Sequence, residues 1–536
     1  MAAARKKKSE DKKSPEVGGK VALAKELWQA AVALRGSIEP PDYKRYVLPI
    51  IFLRFLSLRY ARCRNELQAL VDDPKSDYYG DEDVLEDPDE YRSRQAFLVP
   101  EVARWDTLLK NAQRDDIKVR LDNALAALEK AYPDKLRGLL PRIYAGSNLE
   151  VESARQLLNL FSKDAFMQRG AGDLLGLIYE YFIGEFASSE GKRGGEYFTP
   201  ASIVDLLVAM LEPTRGTVFD PCCGSGGMFV HSDLFTKHSN QLSFFGQEAK
   251  EFTYRLCRMN LFIHGIDGDI KQGNSYTDDK HAGMQFDYIL ANPPFNDGAK
   301  GENGWGADRI LDKDPRILVD GQKMPLAPRN ANPMWMMHFL HHLKDGGTAG
   351  FVMATGELSN ANAGRVDVRK ALVDGGYVDC VVQLSGQLFA NTQIPCALWF
   401  LSKNRNGKNG FRERKGEILF IDARRLGTLI PGSRKQKQLS AEEIGRVADL
   451  YRSFRRSTPP DAEPGFCRVA QLDEIRAQRC ALTPGRYVGS LDLEDEGDFE
   501  ELMPRLTANL EAQFKIASEL ESRVRKVLTE VKHVRP

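Results

Sequence analysis

Apolar residues at the start of the chain follow the period of an α-helix. They recur at three-to-four spacing from Leu23 to Leu34, again over 43–60, and again from about residue 101 to 165. Each segment therefore presents one apolar face, and such faces are buried against one another in a common core. The spacing predicts an α-helical N-terminal domain over 21–165.

Two charged segments precede or interrupt these helices. Residues 1–20 contain Arg5 followed by three lysines, with no apolar core of a signal peptide behind them, so we interpret 1–20 as a disordered basic tail. The stretch 72–90 carries ten carboxylates and one lysine. We predict that this acidic stretch is a loop, because it offers few apolar side chains to a core.

The pattern changes near residue 166. Short apolar runs now alternate with helical segments, which is typical of a parallel, doubly wound sheet with helices on both faces. The predicted strands are Thr217–Asp220, Ser243–Glu248, Phe286–Ala291, Thr348–Ala354, Val378–Gln383 and Ala397–Leu401. We therefore predict an α/β domain over 166–430, in which ligands bind at the C-terminal ends of the strands.

The segment 431–536 is charged and helical in pattern. From Phe499 to Val531 the apolar residues step by three or four positions, which predicts a long amphipathic helix of the coiled-coil type. Its apolar stripe either packs on its own domain or docks on a partner, and the pattern leaves both open. The predicted fold class is thus α/β, with a doubly wound, mostly parallel sheet between an α-helical N-terminal domain and an α-helical C-terminal tail.

Composition narrows the possible functions only slightly. The chain has 75 basic and 75 acidic residues, so bulk charge cannot hold a polyanion, and DNA binding needs local basic patches or a partner. None of the eight cysteines forms a CxxC pair, so we expect buried thiols in the cytoplasm, no disulfide framework and no metal site. No apolar run reaches about 18 residues, so we expect no membrane span.

Two motifs predict a site for an adenosine-containing cofactor. A glycine-rich turn with Asp220, Gly224, Ser225 and Gly226 follows the first predicted strand and opens a helix, so backbone amides can approach a ligand closely. Glu248 ends the next strand, where an acidic residue can bind ribose hydroxyls. Because both nicotinamide enzymes and methyltransferases use this arrangement, these two motifs do not distinguish the two classes.

A third motif distinguishes them. Asn292, Pro293, Pro294 and Phe295 follow a predicted strand about 70 residues after the glycine-rich turn. The Asn292 amide oxygen and the Pro293 carbonyl can both accept hydrogen bonds from one NH₂ group, and the prolines fix their direction. Two acceptors on a conjugated amine favour the nucleophilic nitrogen of a methyl-transfer transition state. Alone, the motif could simply be a turn that ends a strand; behind the other two, the catalytic interpretation is favoured.

A fourth motif, 194–200, lies ahead of the glycine-rich turn. Thr199 followed by Pro200 is typical of a helix start, with threonine as the N-cap and proline in the first turn. Its aromatic pair, Tyr197 and Phe198, could also face the cofactor. Both interpretations remain open at this point.

Taken in this order, the four motifs resemble those of the amino-methyltransferases of DNA, and of their γ group. The chain is more specifically similar to the modification subunits of type I restriction–modification systems. The stretches 27–60, 174–200 and 482–488, together with the terminal helix, carry that resemblance over nearly the whole chain. It implies a methyltransferase domain over 166–430 that transfers a methyl group from S-adenosylmethionine to N6 of a flipped-out adenine.

The resemblance also implies roles for particular residues. Asn292 to Phe295 would hold the adenine. Asn274 stands where related enzymes often have aspartate, so its role in the cofactor site stays open, and Cys222 is interpreted as packing. The cofactor-binding set is Glu196, Tyr197, Phe198, Thr199, Pro200, Ala201, Asp220, Gly224, Ser225, Gly226, Glu248 and Asn274.

Partners follow from the same resemblance. It implies double-stranded DNA, a specificity subunit, a second copy of this chain in an M₂S-type assembly and an ATP-dependent restriction subunit, with 431–536 as the region for assembly. The zero net charge and the terminal amphipathic helix agree with a chain that works in a complex. The polar segment 296–332 is predicted to be a mobile loop that orders over DNA or the flipped base.

Several alternatives share the same core. Methyltransferases of RNA bases or of a protein glutamine also present an amino group to an Asn-Pro-Pro-aromatic site, and cytosine N4 poses the same chemical problem as adenine N6. A DNA-clamping subunit with an inactive methyltransferase fold is the non-enzymatic alternative. Competent residues at each chemical position disfavour it.

Overall fold

A computed structural model describes residues 15–36, 38–94, 96–162, 171–190, 198–298, 306–390, 392–408, 410–430, 433, 435–489 and 499–532. Within residues 15–190 the described chain is helical. Its helices are α1 (Pro15–Ala33), α2 (Pro40–Asp72), α3 (Pro88–Ser93), α4 (Trp105–Lys110), α5 (Ile117–Ala131), α6 (Pro133–Leu136), α7 (Val151–Leu160) and α8 (Ala171–Glu190). Their apolar faces share one core.

The acidic stretch 72–90 is not the loop that its charge predicts. It contains a 3₁₀ helix over Glu82–Glu86 and the first turn of α3. Val84 and Leu85 are buried, and Tyr91 donates a hydrogen bond from its hydroxyl to the Leu85 carbonyl at 2.9 Å. The loop prediction was wrong because two apolar side chains suffice to attach this stretch to the core.

The second half of the described chain forms an α/β unit. Its strands are β1 (Gly216–Asp220), β2 (Leu242–Glu248), β3 (Gly268–Gln272), β4 (Phe286–Ala291), β5 (Leu318–Val319), β6 (Gln322–Lys323), β7 (Leu343–Ala354), β8 (Val378–Leu384), β9 (Cys396–Ser402), β10 (Glu417–Ala423), β11 (Thr428–Leu429), β12 (Lys437–Gln438) and β13 (Cys467–Gln471). Its helices are α9 (Ala201–Leu211), α10 (Gly227–Phe235), α11 (Glu251–His264), α12 (Asn332–His341), α13 (Arg365–Asp374), α14 (Ala441–Arg456), α15 (Leu472–Ala477) and α16 (Phe499–Lys532).

Nine of the described strands form one sheet in the order β13-β10-β8-β9-β7-β4-β1-β2-β3. The pairs β1–β2, β1–β4, β2–β3, β4–β7 and β8–β10 are parallel, and β9 and β13 are antiparallel to their neighbours. Apolar cores cover both faces of the sheet. The predicted fold class, a doubly wound and mostly parallel sheet with a helical N-terminal domain, is confirmed.

All six predicted strands occur, but the sheet extends beyond the predicted boundary at residue 430. β13 pairs with β10, and α14 packs on α9, where Arg452 Nε donates to Glu212 Oε1 at 2.7 Å. The helical prediction for 431–536 was therefore wrong over Lys437–Gln438 (β12) and over Cys467–Gln471 (β13). The edge strand β13 is short and only partly apolar, so it lacks the apolar run by which the central strands are recognised.

The structure also differs from the predictions in the segment 296–332 and in the N-terminal tail. In 296–332, the described residues from 306 onward are folded: β5 and β6 form a hairpin, and Ile317 and Val319 are buried against the core of α12. The prediction of a mobile loop was wrong for this part. Residues 1–14 of the predicted basic tail lie outside the described residues. Residues 15–20 form the start of α1, so the prediction of disorder was wrong for these six residues.

The side chains of the terminal helix α16 are described only in part: of the predicted stripe, those of Leu502, Leu506, Val527 and Val531 lie outside the described residues. The large apolar side chains that are described are all exposed, so these do not pack on the chain's own domains. They are Met503, Leu510, Phe514, Ile516, Leu520 and Val524. None of the described helices combines the length and the apolar composition needed to cross a bilayer.

Candidate active site

The strand order places a cavity where the sheet connections change direction. β1 lies between β2 and β4, and the loops after these three strands meet at their C-terminal ends, which is where α/β sheets bind ligands. A cavity of about 750 Å³ opens there. Lys44 and Leu48 of α2 and Ile183 and Phe186 of α8 form its opposite wall, so α2 of the N-terminal domain and the following helix α8 complete the enclosure.

Most of the residues predicted for the site line this cavity. They are Phe198, Thr199, Asp220, Gly224, Ser225, Glu248, Asn274, Asn292 and Pro294. Pro200, Ala201, Gly226, Pro293 and Phe295 do not line it, and Glu196 and Tyr197 lie outside the described residues. The structure therefore brings together residues that are nearly 100 positions apart in the chain.

The glycine-rich turn depends on its glycines at two positions. Gly224 and Gly226 have φ of +54° and +83°, in the left-handed region that glycine adopts at little cost. A Cβ on Gly226 would lie 2.9 Å from Cys257 Sγ, whereas one on Gly224 would meet open space. Gly226 thus allows α11 to pack against the turn, and Gly224 leaves room at the cavity wall.

Glu248 joins the turn to the start of α11. Its Oε2 accepts a hydrogen bond from the Gly224 N–H at 3.1 Å, and its Oε1 accepts one from the Lys250 N–H at 2.9 Å. The carboxylate is therefore fixed at the end of β2 and faces the cavity. Two such oxygens can bind a pair of vicinal hydroxyls, as on a ribose.

Asp220 lies beneath the same turn and is 2% exposed. Its Oδ1 accepts a hydrogen bond from the Cys222 N–H at 3.0 Å, which supports its predicted role in orienting the turn. Burial raises the pKa of the Asp220 carboxyl to about 7, and the nearby Glu248 carboxylate adds to this shift. Asp220 is thus a buried acid whose charge is disfavoured by its surroundings.

Replacement of Asp220 by asparagine is expected to flatten the pH dependence of stability. Between the ordinary aspartate pKa of 3.8 and the folded value of about 7, the folded protein keeps a proton that the unfolded chain has lost. Stability therefore falls as the pH rises through this window, by up to about 1.4 kcal/mol per pH unit for one proton. Urea unfolding of Asp220→Asn and of the wild type at pH 4.5 to 8 measures the difference. An equal slope in both proteins contradicts the assignment, and the exposed Asp267→Asn serves as control.

Asn292 presents an unpaired acceptor. Its Nδ2 donates a hydrogen bond to Thr199 Oγ1 at 2.9 Å, which orients the amide. Its Oδ1 is buried and has no hydrogen-bond partner among the described residues. A buried acceptor without a partner costs free energy unless a ligand satisfies it, so Asn292 Oδ1 marks the position of an incoming donor.

Thr199 is not the helix cap that the sequence predicts. The N-cap of α9 is Pro200, with no side-chain cap hydrogen bond, and the helix begins at Ala201. Thr199 lies one residue earlier, where its hydroxyl oxygen accepts a hydrogen bond from the Asn292 side-chain amide. Ala201 is exposed and does not reach the cavity.

Phe295 does not face the cavity in this structure. It is half-buried and packs against the core that contains α9 and α10. The Pro293 ring is buried, and Pro294 lines the cavity. Cys222, which was interpreted as packing, also lines the cavity, and burial raises the pKa of its thiol well above the usual range.

Two aromatic residues of the cavity were missed by sequence reasoning. The rings of Tyr276 and Trp335 lie 4.6 Å apart, and the Tyr276 hydroxyl donates to Asp297 Oδ2 at 3.1 Å. Burial raises the pKa of the Asp297 carboxyl. Tyr276 follows the Asn274 position closely enough to have been proposed, whereas Trp335 stands in an apolar helix whose pattern indicates only burial.

Arg316 fixes the loop that carries Asn274. This buried side chain donates to the carbonyls of Ser275 at 2.7 Å and Tyr276 at 2.8 Å, and it forms an ion pair with Asp314 at 2.7 Å. Asn274 Oδ1 accepts a hydrogen bond from the Tyr276 N–H at 2.9 Å. Asn274 therefore shapes the turn with its side chain while lining the cavity.

Asp279, His338 and His342 bring possible metal-ligand atoms within 4.8 Å of one another. Both ring nitrogens of His342 already face acceptors, Met284 O at 2.7 Å and Asp279 Oδ2 at 2.9 Å. The Arg316 guanidinium lies 3.4 Å from His338 Nδ1, and a cation there disfavours a second one. We interpret the group as a buried, hydrogen-bonded pair of His342 and Asp279, and the hydrogen bond from His342 holds the pKa of the Asp279 carboxyl well below its usual range.

Family comparisons agree with this geometry over both halves of the chain. Residues 170–496 match the family described as N-6 DNA methylase, and residues 23–163 match the HsdM N-terminal domain. The methylase subunit of the type I restriction enzyme MjaIX from Methanocaldococcus jannaschii is 39% identical over 517 residues, which are 94% of this chain and 90% of that protein. The corresponding HindI subunit from Haemophilus influenzae is 40% identical over 76% of this chain and 91% of its own length.

The fold is shared with solved structures. The methyltransferase subunit of a type I restriction–modification system from Streptococcus thermophilus superposes with a TM-score of 0.70 at 24% identity, covering 87% of this chain and 99% of the other. At this identity the similarity shows the fold alone. Together with the two matched domains and the curated relatives, it shows that this chain belongs to the N-6 DNA methylases, as a methylase subunit of the type I restriction enzymes, a family of adenine-specific DNA methyltransferases.

Proposed function

We propose that the cavity binds S-adenosylmethionine and that Asn292 holds the N6 amine of a flipped-out adenine for methylation. The observation that carries this proposal is the buried, unpaired Asn292 Oδ1 beside the glycine-rich turn and Glu248. An amine donor would satisfy that oxygen. The cofactor supplies an activated methyl group when it is bound.

The residues of the cavity fit an adenosine cofactor. Glu248 offers two carboxylate oxygens for the ribose, and the glycine-rich turn leaves open space beside Gly224. The Tyr276 and Trp335 rings supply flat apolar surface for a purine. In this proposal Asp220 and Asn274 keep the two loops in shape, and Thr199 orients the catalytic amide rather than capping α9.

The chain itself performs three operations in the methyl transfer. Asn292 Oδ1, the unpaired acceptor at the cavity, accepts one N6 hydrogen. The carbonyl of Pro293, a residue that does not line the cavity in this structure, would accept the other when the base is bound, and the two together favour a pyramidal, nucleophilic nitrogen. Thr199 prevents the Asn292 amide from rotating, because its hydroxyl oxygen accepts from Nδ2. The side chains of α2 and α8 that line the cavity would reduce the access of water to the site. Since the N6 amine of a paired, stacked adenine cannot reach into this cavity, the target base must leave the stack.

The proposed function is tested with the full chain and its specificity subunit. We expect calorimetry to show S-adenosylmethionine binding to the chain alone. We expect nucleoside mass spectrometry of DNA methylated by the complex to show N6-methyladenine. Cofactor binding without any modified DNA would reject the DNA-adenine assignment and make RNA or protein glutamine the next substrates to test. N4-methylcytosine in the product would reject adenine as the target.

We further propose that α16 docks on the specificity subunit, in an assembly with a second copy of this chain and a restriction subunit. All six large apolar side chains described on α16 are exposed, from Met503 at 44% to Phe514 at 65%. A helix with such a stripe is stabilised when a partner covers it.

Charged substitutions on this stripe are expected to prevent assembly without affecting the cofactor site. Leu510→Glu with Phe514→Glu would place carboxylates in an apolar interface, so co-purification of the specificity subunit should fall at least tenfold. Calorimetric S-adenosylmethionine affinity should be unchanged. The exposed charged pair Glu521→Ala with Arg525→Ala on the same helix is the control, and undiminished co-purification by the glutamate variant would contradict the proposal.

A further inference from the structure

The catalytic motif is followed by an asparagine in an unusual backbone conformation. Asn296 has φ of +58°, in the left-handed region that asparagine tolerates better than most residues. Its N–H donates to Asn332 Oδ1 at 2.8 Å, and its Oδ1 accepts from Asn332 Nδ2 at 3.1 Å. Asn332 therefore binds both the backbone and the side chain of Asn296.

Asn332 is in turn held by a buried carboxylate. Its Nδ2 also donates to Glu357 Oε1 at 2.8 Å, and the exposed fractions of Asn332 and Glu357 are 0% and 2%. Glu357 forms an ion pair with Arg365, whose Nε donates to Oε2 at 3.1 Å. Because Asn332 begins α12 and Glu357 follows β7, this network connects the residue after the catalytic motif to two rigid elements.

Further hydrogen bonds join the chain just after the catalytic motif to the chain just before α12. Asn330 Nδ2 donates to Asn296 Oδ1 at 2.8 Å, and the Ala331 N–H donates to the Asp297 carbonyl at 2.9 Å. The two ends of the segment 298–329 are thus joined directly behind the catalytic motif. We call Asn296, Asn330, Asn332 and Glu357 the asparagine clamp.

We propose that the asparagine clamp positions the catalytic motif, with Asn332 as a positioning residue for the acceptors of Asn292 and Pro293. The proposal rests on the proposed function. Two successive prolines restrict the backbone between Asn292 and Phe295, so the chain direction fixed at Asn296 is passed to the Pro293 carbonyl. Small displacements of reacting groups have large effects on rate. The clamp residues do not themselves line the cavity, so we expect their loss to affect cofactor binding much less than methyl transfer.

Asn332→Ala in the full chain with its specificity subunit tests the clamp. We expect kcat to fall roughly 10- to 100-fold, the Kd of S-adenosylmethionine to stay within about twofold, and hydrogen–deuterium exchange to increase in the peptide spanning 292–298. Glu357→Gln keeps an acceptor for Asn332 Nδ2 and should retain more activity than Glu357→Ala. The exposed Asn362→Ala, on the same connection as Arg365, is the matched control.

Two substitutions at Asn296 distinguish the contribution of its backbone conformation from that of its side chain. Asn296→Gly adopts the positive φ easily and should retain more activity than Asn296→Ala, which is strained there. Unchanged exchange of 292–298 in Asn332→Ala would overturn the clamp, whether or not the complex methylates DNA. Parallel losses of cofactor affinity and thermal stability would also overturn it, in favour of general destabilisation. An inactive wild-type complex would reject the proposed function while the exchange result still decides on the clamp.

Discussion

Asn292→Ala is expected to lower the kcat for DNA methylation by roughly 10²- to 10³-fold, the range seen when one preorganised hydrogen-bonding group of an active site is removed. The substitution removes the buried, unpaired Oδ1 that would accept from the target amine. Because the cofactor is bound mainly by the glycine-rich turn and Glu248 in this proposal, its Kd should change by less than about threefold. Single-turnover methylation with labelled cofactor, together with calorimetry, measures both quantities.

Substitutions at Thr199 provide the matched control. Thr199→Ser keeps a hydroxyl for Asn292 Nδ2 and should stay close to wild type, whereas Thr199→Val removes the acceptor that orients the amide. We expect Thr199→Val to lower kcat roughly tenfold, the equivalent of about 1.4 kcal/mol. If Thr199→Val raised the Kd of S-adenosylmethionine and left kcat unchanged, Thr199 would be a cofactor ligand, as the family resemblance implies. Near-normal kcat in Asn292→Ala would remove Asn292 from the chemistry.

The strands that place the site were predictable because their apolar runs are nearly continuous. β4 occurs at its predicted residues, Phe286–Ala291, and β1 and β2 each differ by one residue at the start. Such runs are typical of parallel strands that are buried on both faces. β3 and β13 were missed because they are short edge strands with only one and two buried residues. β10 was also missed, although it lies inside the sheet and all but its first residue are buried.

The candidate site also has a part that the sequence predicts and a part that it does not. Motifs that follow strands could be placed, since the loops after β1, β2 and β4 necessarily meet at one edge of a sheet. Contacts between distant segments could not be predicted, because no local pattern records them. Thr199 binding Asn292, the N-terminal helices closing the cavity and Trp335 facing Tyr276 all depend on packing between elements far apart in the chain. The loop prediction for 72–90 failed for a different reason: it followed the high charge of the stretch and gave too little weight to Val84 and Leu85, which are buried.

Glu248→Ala is expected to act on the cofactor rather than on the methyl transfer. Hydrogen bonds to a charged group contribute about 1.5–3 kcal/mol each, so losing the carboxylate should raise the Kd of S-adenosylmethionine by roughly 10- to 100-fold. The Gly224 and Lys250 N–H groups would also lose their acceptor, which loosens the turn before the cofactor arrives. At saturating cofactor kcat should stay within a few-fold of wild type, because Asn292 and Thr199 are untouched.

Calorimetry and the cofactor-dependent rise of Tm measure this effect independently. A ligand at 100 times its Kd stabilises the folded state by about 2.7 kcal/mol, and a 10- to 100-fold higher Kd in Glu248→Ala should reduce this gain to about 1.4–0.4 kcal/mol at the same concentration. Glu251→Ala, which removes an exposed carboxylate paired with Arg255, is the control and should bind normally. If Glu248→Ala bound the cofactor normally but lost kcat, the carboxylate would act on the target base, and the cofactor would have to occupy the Asn292 side of the cavity.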